Sequence, residues 1–409
     1  MKKIDFKWKT IKDVDVAGKR ILLRADYNVP LKDGEILDDF RVEASLPTLK
    51  YLIERGAKIV IISHLGRPKS PADIQFSLAP IAENLSEKLG KKVKFAKDCI
   101  GEDVANLTAK MGSGDVVMLE NLRFHPEEKA DDREFAKNLA KDTHANLFVQ
   151  EGFGVVHRAH ASTHAITEFL PSVAGFLLKK EYVEIKSATD DPNRPLTALM
   201  GGAKISDKIP LVRKFVEIAD NVVIGGAMAN NFLKFNGKNV AKSLVENDVD
   251  EIIKEIMVAV REKWGENYND HFILPTDVAI ATDGDFHSPR VEVDLAENPL
   301  YGEAAIFDLG EKTIAKIDDK IRESGTVIWN GDLGIDNVPQ FSMRSSAAAE
   351  NMTKTRIISV VGGGDTADFA RHWDKLRGGS FTHVSTGGGA SLELMEGEKL
   401  PGIYALMRK

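Results

Sequence analysis

Cysteine is almost missing: Cys99 is the single one in 409 residues. No intrachain disulfide can form, which excludes a disulfide-stapled secreted scaffold and points to a reducing compartment. Long hydrophobic runs are missing too, since no stretch approaches the ~18–20 apolar residues of a membrane-spanning helix. There is no low-complexity tract and no self-similarity at the ~20–50-residue period of solenoids. Basic charge is not in excess: 55 Lys and Arg face 62 Asp and Glu, a net charge of −7. Nucleic acid and acidic membranes therefore find no general attraction, although a local basic pocket is compatible with that balance. A Walker A loop is absent as well. The Gly-Lys pairs at 18, 90 and 237 are followed by Arg20, Lys92 and Asn239 rather than Ser or Thr, which disfavours a P-loop NTPase. The start, Met1 to Lys9, carries charges where a signal peptide needs an apolar core, so a cytoplasmic protein is expected.

What is present is an ordinary globular composition on a chain too long for one core of ~100–200 residues, so two domains are expected. Short apolar runs alternate with helix-period segments. Arg20–Ala25, Lys58–Ser63, Val116–Leu119 and Leu147–Val149 read as strands, and Val42, Leu46, Leu49 and Ile53 recur at helical spacing before Gly56. Breakers at Leu170-Pro171 and Asp190 to Pro195 flank a polar helical segment. The alternation then resumes with Leu196–Met200, Asn221–Ile224, His271–Leu274, Thr326–Trp329 and Arg356–Val361. Strand–helix alternation favours parallel sheets covered on both faces. The expected fold is α/β: two doubly wound, Rossmann-like parallel-sheet domains at 1–175 and 191–399, joined by a hinge helix at 176–190.

In such sheets, ligands bind beyond the carboxyl ends of the strands. In the first half those positions are cationic. Strand ends lead to Asp26-Tyr27-Asn28 and Arg41, to His64-Leu65-Gly66-Arg67, to Arg123, and to His157-Arg158-Ala159-His160. Four arginines at equivalent places suit an anionic ligand, because guanidinium stays charged and fits phosphate or carboxylate oxygens in pairs. His157 and His160 could also hold a metal, but no third ligand is evident in the sequence. In the second half, Gly201-Gly202-Ala203-Lys204 to Lys208, Gly225-Gly226, Gly362-Gly363-Gly364-Asp365-Thr366 and Gly387-Gly388-Gly389 each follow a strand and open a helix. That arrangement aims backbone N–H groups at phosphate oxygens. With Lys204 and Lys208 one turn apart, a polyphosphate is favoured. Gly362-x-Gly364-x-x-Ala367 also matches a loose dinucleotide fingerprint, but the next strand, His383–Thr386, ends without the expected acid. A nicotinamide dehydrogenase is the more remote alternative.

Taken together and in order, Arg24-Ala25-Asp26-Tyr27-Asn28-Val29-Pro30, Ser63-His64-Leu65-Gly66-Arg67-Pro68, Glu120-Asn121-Leu122-Arg123-Phe124-His125, His157-Arg158-Ala159-His160, Gly201 to Lys208, Gly362 to Ala367 and Ser385 to Leu394 resemble the phosphoglycerate kinase family over essentially the whole chain. The resemblance implies reversible phosphoryl transfer between ATP and 3-phosphoglycerate by a soluble, cytoplasmic monomer using Mg²⁺ with ATP or ADP, without nucleic-acid or membrane partners. It implies that the first domain holds the acid through Asp26, Tyr27, Asn28, Arg41, His64, Leu65, Gly66, Arg67, Arg123 and Arg158. It implies that the second holds the nucleotide through Lys204, Lys208, Asn337, Gly363, Gly364, Asp365 and Thr366, with Asp365 on the metal. Arg41, Lys204, Gly364 and Gly387 are the expected transition-state stabilisers. A hinge would close the domains, and a tail at about 400–409 would return to the first. A carboxylate acceptor is already ionised near neutrality, so no general base is needed.

The chain departs from the family pattern in three places. Gln150-Glu151-Gly152 stands where Asn-Asp-Ala is usual; Gln150 and Glu151 are expected to keep the polar character with one extra methylene each, shifting hydrogen bonds without abolishing them. Ile306 replaces the first glycine of a Gly-Leu-Asp-Ile-Gly segment. Asn337 replaces the glutamate expected to hold the ribose. A changed nucleotide preference, or a catalytically silent family member, are the alternatives these changes open.

Overall fold

The computed structural model describes residues 4–407. The first three residues of the charged start, and Arg408 and Lys409 of the expected returning tail, lie outside the described residues. The chain forms two units, one built from Asp5–Val183 with the C-terminal stretch from Glu398, the other from Glu184–Gly397 with Ile4.

The first unit contains strands β1 (Arg20–Arg24), β2 (Leu31–Lys32), β3 (Glu35–Ile36), β4 (Lys58–Ile62), β5 (Val93–Phe95), β6 (Val116–Met118), β7 (Leu147–Gln150) and β8 (Ser172–Ala174). β2 and β3 form a small hairpin, and the rest make one sheet in the order β5-β6-β4-β1-β7-β8. Every pairing in that sheet is parallel. Its central strands are apolar without alternation: Ile21, Leu22 and Leu23 of β1, and Ile59 to Ile62 of β4, are all fully buried. That is the signature of strands covered on both faces, and helices Phe40–Glu54 and Ala79–Leu89 cover the face carrying Ile21, Leu23, Ile59 and Ile61. β1 has β4 on one side and β7 on the other, so the strand order reverses there and a crevice opens at their carboxyl ends.

The second unit repeats the plan with β9 (Leu196–Met200), β10 (Asn221–Ile224), β11 (Phe272–Ile273), β15 (Thr326–Asn330), β16 (Ile358–Gly362) and β17 (His383–Val384). Their order is β11-β10-β9-β15-β16-β17, all parallel. A third sheet was not expected: β12 (Asp277–Ala281), β13 (Val291–Asp294) and β14 (Ala305–Leu309) pair antiparallel in the order β13-β12-β14. Its strands are joined by irregular segments without helices, so the strand–helix rhythm that revealed the parallel sheets gave no sign of it.

The helix Phe176–Asp190 begins in the first unit and continues into the second. Its start is tied down by the residues at 150–151. Glu151 is fully buried, and its carboxyl accepts the Leu177 amide through both oxygens at 3.3 Å, while Thr48 Oγ1 accepts the Phe176 amide at 3.0 Å. Gln150 donates to the Gly152 carbonyl at 3.0 Å. At the other end of the chain, Gly402 donates its amide to Val156 O at 2.9 Å and Tyr404 meets Trp8 edge to face, all within the first unit.

Burial pushes the Glu151 carboxyl up to about 8 from an ordinary 4.5. The folded chain therefore keeps a proton that the unfolded chain has lost. This group's contribution is complete below the unfolded value and disappears as pH rises through the folded one. Glu151→Gln is expected to flatten the fall in stability between pH 5 and 8, measured as chemical denaturation midpoints. An unchanged slope would show that Glu151 titrates normally. Phe148→Ala, which deletes a fully buried ring in β7, is expected to cost about 3–5 kcal/mol, read as an earlier unfolding transition.

Candidate active site

At the carboxyl ends of β1, β4, β6 and β7 the side chains are held by each other before any ligand is considered. Arg41, in the first turn of the helix Phe40–Glu54, lies 3.2 Å from Asp26 and donates to the Asn28 carbonyl at 3.0 Å. Asn28 Oδ1 accepts the Gly66 amide at 2.8 Å, and Arg123 donates to the Gly66 carbonyl at 2.6 Å. Gly66 thus joins two loops, and it must be glycine: its φ is +60° and a Cβ would run into the Phe76 ring. Asn121 fixes the neighbouring loop by accepting from the amides of Leu65 and Arg123 and donating to the Leu65 carbonyl.

Beneath this rim lies Arg24, fully buried at the end of β1. It donates to Ser162 Oγ at 2.8 Å and sits 3.9 Å from Glu128, which itself accepts the Ser162 hydroxyl at 2.6 Å and the Ser162 amide at 3.0 Å. His64 Nδ1 lies 3.3 Å from Arg24. Burial, then the charges of Arg24, Arg123 and Arg41, hold His64 well below its ordinary value, so it is a neutral imidazole. Burial likewise brings His157 and His160 down to about 4, and burial with Arg24 and Arg158 nearby brings Arg123 down to about 10. Cations outnumber anions here, and the Nδ1 atoms of His157 and His160 are buried without hydrogen-bond partners. The arrangement is short of negative charge and suits an anion.

Two of the expected residues are placed differently. Tyr27 is wholly buried, its hydroxyl 2.8 Å from Ser45 Oγ, so its ring is a strut of the core. Leu65 is buried with both backbone groups bonded to Asn121. Arg67 and Arg158 stand exposed at the rim.

In the second unit, a cavity of about 370 Å³ is lined by Lys204, Lys208, Asn330, Asp332, Gly363, Gly364, Asp365 and Thr366. Helices Gly226–Phe235, Gly364–Trp373 and Gly389–Glu396 all begin after a glycine that offers no side-chain cap. The Gly226 and Met228 amides go to Leu333 O and Gly202 O, and those of Ala390 and Ser391 to Gly387 O and Gly388 O. The start at Gly364, which lines the cavity, is therefore the one suited to an anion. The loop after β9 is packed so closely that a Cβ on Gly201 would strike the Asp332 carbonyl. Lys208 donates to Gly201 O at 2.7 Å, and burial lowers it to about 8. Gly387, by contrast, is buried and not among the cavity's lining.

A second cavity of about 690 Å³ adjoins it, walled by Ala227, Leu244, Pro275, Val278, Ile306, Leu309 and Leu333. Ile306 is part of the wall, and Asn337 is exposed at its margin. Sequence reasoning missed Asn330, Asp332 and Asp336. Asn330 is 1% exposed; its Nδ2 donates to Gly362 O, while its Oδ1 has no partner. Burial and the neighbouring Asp332 push Asp336 up to about 8. Hard divalent cations take oxygen donors, and the oxygens of Asp365, Asp332 and Asn330 meet that requirement.

Two parallel-sheet α/β units, one with a cationic rim and one with glycine-rich helix starts, define the class of protein. The family model described as phosphoglycerate kinase matches residues 11–398. A curated phosphoglycerate kinase of Pelotomaculum thermopropionicum is 41% identical over 401 residues, covering 98% of this chain and 99% of its own. That of Clostridioides difficile is 45% identical over 406 residues, 98% of each. The solved phosphoglycerate kinase of Coxiella burnetii superposes with a TM-score of 0.85 at 33% identity, covering 98% of this chain and all of its own. The chain belongs to the phosphoglycerate kinase family.

Removing one member of the buried pair leaves the other charge uncompensated. Glu128→Ala is therefore expected to cost about 3–5 kcal/mol, measured by chemical denaturation. A loss below ~1 kcal/mol would mean that Ser162 and solvent satisfy Arg24 unaided.

Proposed function

We propose that this chain catalyses reversible phosphoryl transfer between ATP and the carboxylate of 3-phosphoglycerate, as a cytoplasmic monomer. The observation that carries the reading is the pairing, in one family member, of a charge-deficient cationic rim with a lysine- and glycine-lined phosphate cavity. In this reading Arg41, His64, Arg67, Arg123 and Arg158, with Asp26 and Asn28, hold the phosphorylated acid. Tyr27 and Leu65 act from behind by shaping the loops. Lys204, Lys208, Gly363, Gly364 and Thr366 hold the nucleotide's phosphates, and Asn337 meets the ribose side.

A carboxylate oxygen of the acid attacks the γ-phosphorus, the bond from that phosphorus to the β-phosphate oxygen breaks, and ADP leaves with the electron pair. No proton moves, so no general base is required. The acid is ionised near neutrality because its pKa lies in the ordinary carboxylate range. What remains is positioning, and neutralising the charge on the three equatorial oxygens. Arg41 and Lys204 are assigned to that charge, with the helix start at Gly364; Gly387, buried and outside the cavity lining, is left out of this role. Asp365, with Asp332 and Asn330 beside it, would hold the Mg²⁺ that accompanies the nucleotide and offsets charge on its β- and γ-phosphates. Neutral His64 can accept or donate a hydrogen bond without adding charge to the rim. The relatives carry the name of a kinase, which gives no support to a nicotinamide-dependent or a silent alternative.

The test is a coupled assay with 3-phosphoglycerate, Mg²⁺ and ATP, with GTP compared as donor. Turnover with ATP is expected, and Arg41→Ala and Lys204→Ala should each lower kcat by about 10²–10³-fold. Absence of turnover with every nucleotide donor would overturn the assignment.

A further inference from the structure

A second constellation in the first unit is formed by residues not assigned to either ligand. Asp98 and Cys99 follow β5, and His125 lies two residues after Arg123 on the segment that follows β6. One ligand atom from each of Asp98, Cys99 and His125 lies within 4.8 Å of the other two. It is the one such group of three or more His, Cys, Asp and Glu side chains among the described residues. His125 Nε2 and Asp98 Oδ1 are 2.7 Å apart, and Asp98 Oδ1 also accepts the Cys99 amide at 2.6 Å. The His125 ring packs on Phe135 with centroids 5.1 Å apart, which fixes its orientation. The thiol is buried, while the His125 side chain is 25% and the Asp98 side chain 54% exposed. A ligand would therefore approach from the carboxylate and imidazole side and find the sulfur at the bottom.

We propose that Asp98, Cys99 and His125 form a three-ligand site for a borderline-soft divalent cation of the zinc class, with its fourth position open to solvent. Thiolate, imidazole and carboxylate together are the donors such ions select, and hard ions such as Mg²⁺ do not take thiolate. With metal–ligand bonds of ~2.0–2.3 Å, tetrahedral geometry separates ligand atoms by about 3.3–3.6 Å. The His–Asp contact would open by about 0.6 Å, and the sulfur, which lies within 4.8 Å of both partners, would close to that spacing. Burial pushes the Cys99 thiol well up, and the hydrogen bond that His125 donates to Asp98 raises His125. The cation must displace the thiol proton and the proton that His125 shares with Asp98: the S–H bond breaks, a sulfur–metal bond forms, and the displaced protons go to solvent. Because His125 is the single extended residue between the 3-10 turns Leu122–Phe124 and Pro126–Glu128, a cation on it would stiffen the segment that presents Arg123.

The experiment is Co²⁺ titration of the full chain, without nucleotide and in excess Mg²⁺ to fill oxygen-only sites, followed by absorbance and then by competition with Zn²⁺. One Co²⁺ per chain is expected, with a thiolate-to-cobalt charge-transfer band in the near ultraviolet that Zn²⁺ abolishes. Cys99→Ser should lose the band. His125→Asn and Asp98→Asn, both at partly exposed positions that folding tolerates better, should weaken Zn²⁺ binding at least 10–100-fold. Cobalt bound without the band, or Zn²⁺ affinity unchanged in His125→Asn and Asp98→Asn, would overturn the site.

Discussion

The first unit depends on one buried charge. Arg24 closes an otherwise apolar strand, and a guanidinium cannot be stripped of water unless its charge and its N–H groups are answered. Glu128 and Ser162 answer it, at sequence separations of more than a hundred residues. The answer is deliberately incomplete as electrostatics: one carboxylate and Asp26 are set against Arg24, Arg41, Arg123 and Arg158. Surplus positive charge is what remains, and the low dielectric of a half-buried rim keeps it from being screened. Histidines caught in that field stay neutral. The same burial that fixes the loops therefore also sets the charge that an anionic ligand would neutralise.

The second unit solves the same problem with backbone instead of side chains. Its strand ends carry no comparable arginine cluster; they carry glycines whose helices start without side-chain caps. The helix start at Gly364 lines the cavity, where Lys204 adds an exposed charge and Lys208 one held against Gly201 O. The two solutions fit different ligands. Arginine forks suit a small acid recognised oxygen by oxygen, whereas a chain of phosphates can lie along successive amides.

Most of this was legible in the sequence because parallel strands bury both faces and so read as uninterrupted apolar runs, each ending where polar or glycine residues begin. Ile59 to Ile62 followed by His64 and Arg67 is such a case. Local patterns failed where the structure depends on distant partners. Nothing near Arg24 announces Glu128, and nothing near Tyr27 announces that Ser45 will take its hydroxyl into the core. The β12–β14 sheet escaped because its strands are separated by irregular segments, and β13, its edge strand, is largely exposed rather than apolar. A charged residue ending an apolar strand was the one available hint of Arg24, and a hint of that kind does not name the partner.

The acidic residues beside the nucleotide cavity follow from the same accounting. Asp308, Asp332, Asp336 and Asp365 line two adjoining cavities that also hold Lys208. Four full negative charges there would repel a polyphosphate. Burial removes part of that charge: Asp308 is pushed up to about 7 even with Arg290 at 2.7 Å, and Asp336 to about 8. Burial thus disfavours charge on the deeper carboxyls, of which Asp308 is answered by Arg290 and by the Leu309 and Arg344 amides, while Asp365, exposed at a helix start, is the natural place for a cation. Depth sorts one residue type into two settings, buried carboxyls in the wall where desolvation disfavours charge and an accessible one at the mouth. The sorting needs only the cavity's shape, which the close packing of the β9 and β15 loops provides.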